Sequence, residues 1–152
     1  MTIEIVNLQK SMKVPKEKLR AVLRHVMMEE LGREVNVSVA VVTDERITEL
    51  NKAFRDHIGP TDVLAFPFDE EEIGPEGQRV FGEIVISAQR ARDEARLRHI
   101  DPELELILYA VHGMLHLVGY DDQSVQRSKE MRKREAEILR ALGSPARKEK
   151  KS

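Results

Sequence analysis

From Asp101 to Gly119 the chain reads Asp-Pro-Glu-Leu-Glu-Leu-Ile-Leu-Tyr-Ala-Val-His-Gly-Met-Leu-His-Leu-Val-Gly, and no other stretch constrains the fold as much. Asp101 ahead of Pro102 is a helix start: the carboxylate can accept from an early backbone N–H, and proline supplies the helical φ where no N–H is needed. Leu104, Ile107, Leu108, Val111, Leu115 and their neighbours leave few positions for solvent. A helix that is apolar on nearly every side has to be covered on nearly every side. We therefore expect a central buried helix ending at Gly119, with the rest of the chain built around it.

The remaining periodicities supply that cover. Val35, Val37, Val39 and Val41 alternate through a β-branched run, the clearest strand signal present. Ile3 and Ile5 suggest a short first strand, Thr61 to Phe66 a third, and Val80 to Ser87 a fourth. Pro67 cannot donate to a ladder, so the third strand ends there or lies at an edge. Helices are expected from Val14-Pro15 to a stop at Gly32, after Thr43, after Ser87, from Asp101-Pro102, and from Ser124 to Leu142 with a stop at Gly143. The second carries Ile47, Leu50 and Phe54 inward. Residues 69–79 are acidic and rich in Gly and Pro, hence a surface loop. Four strands and five helices predict a single α+β domain over residues 1–145, with a mixed sheet covered by helices on at least one side. Residues 146–152 form a basic, frayed tail.

Composition narrows the chemistry. The 152 residues contain no cysteine, so thiol nucleophiles, disulfides and thiolate metal sites are excluded, and any metal must be held by histidine and carboxylate. No apolar run reaches the roughly 18 residues of a membrane span, and Met1-Thr2-Ile3-Glu4 lacks a signal-peptide opening, which favours the cytoplasm. The formal charge of −2 gives no general support to a nucleic-acid partner, so any such case rests on local residues.

His112 and His116 stand four apart on the buried helix, so their imidazoles project from one face and can converge on one ion. Two histidines on an apolar helix are more often simply packed. Here Gly119 follows, where the chain can leave the helix, and Asp122 can return a third ligand from the turn. The spacing is that of H-E-x-x-H-x-x-G-x-x-H metalloproteases, with two departures: Gly113 replaces the catalytic Glu and Asp122 the third His. Glycine offers no general base, which argues against peptide hydrolysis by that route. Three protein ligands would leave an open position, as in catalytic rather than structural zinc.

The stretch His112-Gly113-Met114-Leu115-His116-Leu117-Val118-Gly119-Tyr120-Asp121-Asp122 resembles the H-G-x-L-H-L-x-G-Y-D-H signature of the YbeY family of endoribonucleases. Asn51-Lys52-Ala53-Phe54-Arg55, Thr61 through Pro67, and Gly82-Glu83-Ile84-Val85-Ile86 resemble that family's N-x-x-[FY]-R, T-D-V-L-S-F-P and G-D-I-V-I blocks, in family order. The resemblance implies a zinc-dependent, single-strand-specific endoribonuclease acting on the 3′ end of small-subunit ribosomal RNA and in ribosome quality control. It carries the family's metal positions to His112, His116 and Asp122, and its functional arginine to Arg55. The departure at Asp122 makes Mn, Fe or Ni acceptable beside zinc, because a carboxylate oxygen is a harder ligand than imidazole.

The implied partners are single-stranded and ribosomal RNA and the small ribosomal subunit; no membrane partner is expected from the sequence, and the oligomeric state, which the sequence does not fix, is expected to be monomeric. Attack by an RNA 2′-hydroxyl and attack by water both remain open. Without the motif, Arg55 would read as a solvent-facing helix-end residue. Arg90, Arg92, Arg96 and Arg98 could contact phosphates, but the interleaved Asp93 and Glu94 suggest a salt-bridged helix face. Thr61 and Asp62 could orient a ligand or merely cap a strand start; His57 and His99 read as solvated loop residues. Two other functions compete: a ribosome-assembly factor whose metal is structural, and a metalloprotease relative.

Overall fold

In the computed structural model, β4 (Val80–Ser87) is a central strand with β2 (Asn36–Val42) on one side and β3 (Val63–Pro67) on the other. The structure describes residues 3–55 (side chains as far as 53), 61–68 and 80–143. β1 (Ile3–Asn7) completes the sheet in the order β1-β2-β4-β3. β1 and β2 are parallel, as are β2 and β4, whereas β3 runs antiparallel to β4. The sheet is therefore mixed, and the architecture is the expected single α+β domain. The loop expected at 69–79 and the basic tail expected at 146–152 lie outside the described residues.

Among the described residues, five helices pack on the sheet: α1 (Lys16–Leu31), α2 (Asp44–Arg55), α3 (Ala88–Arg98), α4 (Pro102–Leu117) and α5 (Val125–Ala141). Strand alternation sends Val37, Val39, Val41, Ile84 and Ile86 to one face. There they join Leu19, Leu23 and Val26 of α1 and most of α4 in the main core. The opposite face is covered more lightly, by Ile47 of α2 against Val42, Leu64 and Val85. Helices thus lie on both sides, and α4 is the buried one: Leu106, Ala110, Val111, Met114 and Leu115 are fully enclosed. None of the described helices is long and apolar enough to cross a membrane.

The capping expectations follow the backbone closely. Asp101 accepts from Glu103 N at 2.9 Å with Pro102 in the first turn, Ser87 caps α3 and Ser124 caps α5. Thr43 Oγ1 accepts from Arg46 N at 3.1 Å. Pro67 closes β3, which is an edge strand, where a missing N–H is tolerated. Two boundaries differ by two residues. β3 begins at Val63 rather than Thr61, since Asp62 spends its carbonyl on Ser87 N at 3.0 Å. α4 ends at Leu117, two residues before Gly119, because Val118 and Gly119 already bond back to Met114 and His116 in a tightening turn. His99, expected in a loop, is the left-handed cap of α3 at φ 57°.

α4 is drawn onto the sheet by two glycines facing opposite ways. A β-carbon on Gly82 of β4 would meet Leu117 Cδ2 at 2.6 Å. One on Gly113 of α4 would meet Ile84 Cγ2 at 2.7 Å and Val63 Cγ2 at 3.2 Å. Removing a side chain from the strand admits the helix's leucine, and removing one from the helix admits the strand's isoleucine. This mutual fit sets how closely the histidine-bearing helix sits over β3 and β4.

Candidate metal centre

Close approach at Gly113 fixes one side of α4 against the sheet, and His112 and His116 project from another. Their Nε2 atoms are 3.1 Å apart, with the rings edge-on at a centroid distance of 4.7 Å and an interplanar angle of 78°. Two imidazole nitrogens bound tetrahedrally to one ion at zinc distances would be separated by about 3.3 Å. The two nitrogens are within hydrogen-bond distance of each other and also near the spacing of two ligands on one ion, and two borderline nitrogen donors suit a divalent transition metal.

The third expected ligand is not gathered onto them. Asp122 is exposed in the turn beyond Gly119, and among the described residues no group of three His, Asp or Glu side chains is arranged to hold an ion. Nor is Asp122 the cap of the last helix, which is Ser124. Neighbouring Asp121 is otherwise engaged, accepting from Gln123 N and pairing with Arg127 at 3.0 Å. Arg55 is the last residue of α2, and its side chain lies outside the described residues, as does His57.

The turn between α4 and α5 is anchored from a third helix. Gly119, at φ 113°, takes a conformation that L side chains rarely adopt, and Tyr120 N then returns to Leu115 O at 2.9 Å. The Tyr120 hydroxyl donates to Glu30 of α1 at 3.3 Å, and Arg134 of α5 reaches the same carboxylate at 2.5 Å. Burial first, and then the Glu30 charge, push the Tyr120 phenol above its ordinary value, so it stays a donor. A cleft of about 370 Å³ opens beside this turn, lined by Val118 to Asp121, Arg127 and Glu130; it includes neither histidine.

One residue at the site escaped the sequence reading. Glu135 of α5 is only 6% exposed and contacts Nδ1 of His112. The signal was present: Met131, Glu135, Ile138 and Leu139 form the buried stripe of α5, and a carboxylate at a position where helical spacing calls for an apolar residue requires a partner. The arginine-rich stretch, by contrast, is mostly committed within the molecule. Arg98 pairs with Glu94 at 3.4 Å and Glu105 at 3.7 Å, Arg92 reaches Ser11 O, and Arg90 lies 3.9 Å from Asp44.

A family model described as Endoribonuclease YbeY matches residues 4–143. Among its relatives, Endoribonuclease YbeY of Bacillus cereus strain B4264 is 38% identical over 139 residues, covering 84% of this chain and 89% of the relative. The Bacillus mycoides protein of the same name is 39% identical over 122 residues, 76% of this chain and 78% of the relative. The solution structure of TM1509 from Thermotoga maritima superposes with a TM-score of 0.60 at 31% identity, covering 99% of both chains.

Proposed function

This chain belongs to the endoribonuclease YbeY family, and from that membership we propose that it cleaves phosphodiester bonds of single-stranded RNA during maturation of small-subunit ribosomal RNA. It acts in the cytoplasm, as a monomer, in contact with the small ribosomal subunit. His112, His116 and Asp122 would hold one divalent metal ion, zinc in the first instance. The observation that carries this reading is the facing pair of Nε2 atoms on a buried helix, 3.1 Å apart.

When bound, the ion supplies Lewis-acid polarisation of a phosphoryl oxygen. The chain's own residues do the rest. His112 and His116 present ring nitrogens from a helix held by its packing, and Asp122 would supply the third ligand, a carboxylate. Arg55 stabilises the negative charge that accumulates around phosphorus as the bond breaks. Asp122 lowers the charge of the site by one relative to a third histidine and makes Mn or Fe more acceptable.

Gly113 separates this reading from peptide hydrolysis. A Glu there would have to place its β-carbon 2.7 Å from Ile84, so the protease's general base has no room as well as no counterpart. Attack by the RNA 2′-hydroxyl needs no protein nucleophile and would leave a cyclic phosphate; attack by water would leave linear ends.

The test is cleavage of a labelled single-stranded RNA by metal-reconstituted protein, with chelated protein, His116→Ala and Asp122→Ala alongside and bound metal quantified in each. Metal-dependent cleavage lost in both variants is expected. A wild type that binds metal stoichiometrically and associates with ribosomal subunits, yet leaves RNA intact, would overturn the nuclease reading in favour of a structural assembly factor.

A further inference from the structure

We propose that Glu135 is a positioning residue of the metal centre: its carboxylate holds the proton of His112 on Nδ1 and thereby keeps the Nε2 lone pair directed at the point His116 also faces. This rests on the reading of His112 and His116 as metal ligands.

Four observations carry it. Glu135 is buried at 6% exposure on the apolar stripe of α5, where a charge without a partner would be costly. Among the described residues its hydrogen-bond partner is His112 Nδ1, on a different helix and 23 positions away in sequence. A carboxylate oxygen is the natural acceptor for a ring N–H, and the His112 nitrogen within its reach is Nδ1. The other ring nitrogen of the same histidine is the one lying 3.1 Å from His116 Nε2. In the opposite tautomer the Nε2–H would occupy the direction an ion must take. Fixing the tautomer by a carboxylate on the far nitrogen also raises the basicity of the ligating nitrogen.

Glu135 accordingly belongs to the site although it touches neither metal nor substrate. It also makes the site a property of two helices: α4 supplies the imidazole, and only a docked α5 supplies the acceptor. Met131, Ile138 and Leu139 hold that docking through the core, so removing the carboxylate leaves the packing stripe in place.

The experiment compares wild type, Glu135→Leu and Glu135→Gln in two measurements. Ring 15N NMR of the metal-free proteins reads the His112 tautomer, and competition with a chromophoric chelator reads Zn2+ affinity. Wild-type His112 is expected in the Nδ1–H form. Glu135→Leu should lose that preference and bind Zn2+ about 10- to 100-fold more weakly, with an unchanged far-ultraviolet circular dichroism spectrum. Glu135→Gln, which keeps an uncharged acceptor, should fall between. Unchanged tautomer and affinity in both variants would overturn the role of Glu135 alone. A wild type that binds no Zn2+ would overturn the metal reading itself, visible without reference to either variant.

Discussion

Gly113 lies against Ile84 so closely that a β-carbon on the glycine would stand 2.7 Å from Ile84 Cγ2, a separation that packed carbons do not tolerate. Gly113→Ala should therefore destabilise the protein. Overpacking costs about 1–3 kcal/mol, against a gain of up to about 1 kcal/mol from replacing glycine within a helix. Urea denaturation checks the sign, and a variant as stable as wild type would show that α4 sits less tightly on the sheet than described.

Metal loading should stabilise the fold. At an ion concentration 100 times the dissociation constant the gain is about 2.7 kcal/mol, which for a domain of this size raises the thermal midpoint by on the order of 5 °C or more. Chelation should reverse the shift and His116→Ala should abolish it. A midpoint indifferent to Zn2+, Mn2+ and chelator alike would remove the basis for a resident ion.

Exchanging the departing ligand tests its part in metal choice. Asp122→His restores a third imidazole and should shift preference from Mn2+ towards Zn2+, by about tenfold or more in relative affinity. Competition binding with the two ions reads the ratio, and an unaltered ratio would mean that Asp122 does not ligate.

Tyr120→Phe removes the 3.3 Å bond to Glu30 but leaves Arg134 on that carboxylate. The expected cost is about 0.5–1.5 kcal/mol. Glu30→Ala should cost more, since it strips both Tyr120 and Arg134 of their shared acceptor. Chemical denaturation of the two single variants and the double variant should give a non-additive cycle; strict additivity would indicate that the turn is held by other contacts.

Burial raises the Glu83 carboxyl above its ordinary value. The fold favours the neutral acid, so the stability linked to this group is fully present below the unfolded value and lost as pH climbs through the folded one. Glu83→Gln, neutral at every pH, should exceed wild type in stability at pH 7, with the difference vanishing in acid. Guanidinium denaturation at both pH values measures it; a variant less stable at pH 7 would point to a favourable partner for the charge.

The signals that were legible in sequence were local ones. Alternation through Val35–Val41, the Asp101-Pro102 start and the apolar run to Leu117 each act within a few residues, and each matches the backbone. Sheet order did not follow from them, because nothing in β3 or β4 alone says that β4 inserts beside β2. At the site, the His112–His116 pair was readable since helical spacing dictates which side chains share a face. Glu135 was readable only as a carboxylate on an apolar stripe in need of a partner; that the partner is His112 arises only when α5 docks on α4. The expectation for Asp122 came from spacing along a turn, and turn geometry is set by contacts such as Tyr120 to Glu30, which join residues 90 positions apart.

The order β1-β2-β4-β3 also has a consequence in time. β3 precedes β4 along the chain, yet among the described residues β4 is its one neighbour in the sheet. As the polypeptide emerges from a ribosome, β1, α1 and β2 can assemble a parallel unit at once, while Val63–Phe66 must wait without its sheet partner until residues 80–87 arrive. An apolar strand left open in this way invites pairing with another nascent copy. Pro67 breaks the donor row at its end, a safeguard that matters most before the native sheet exists.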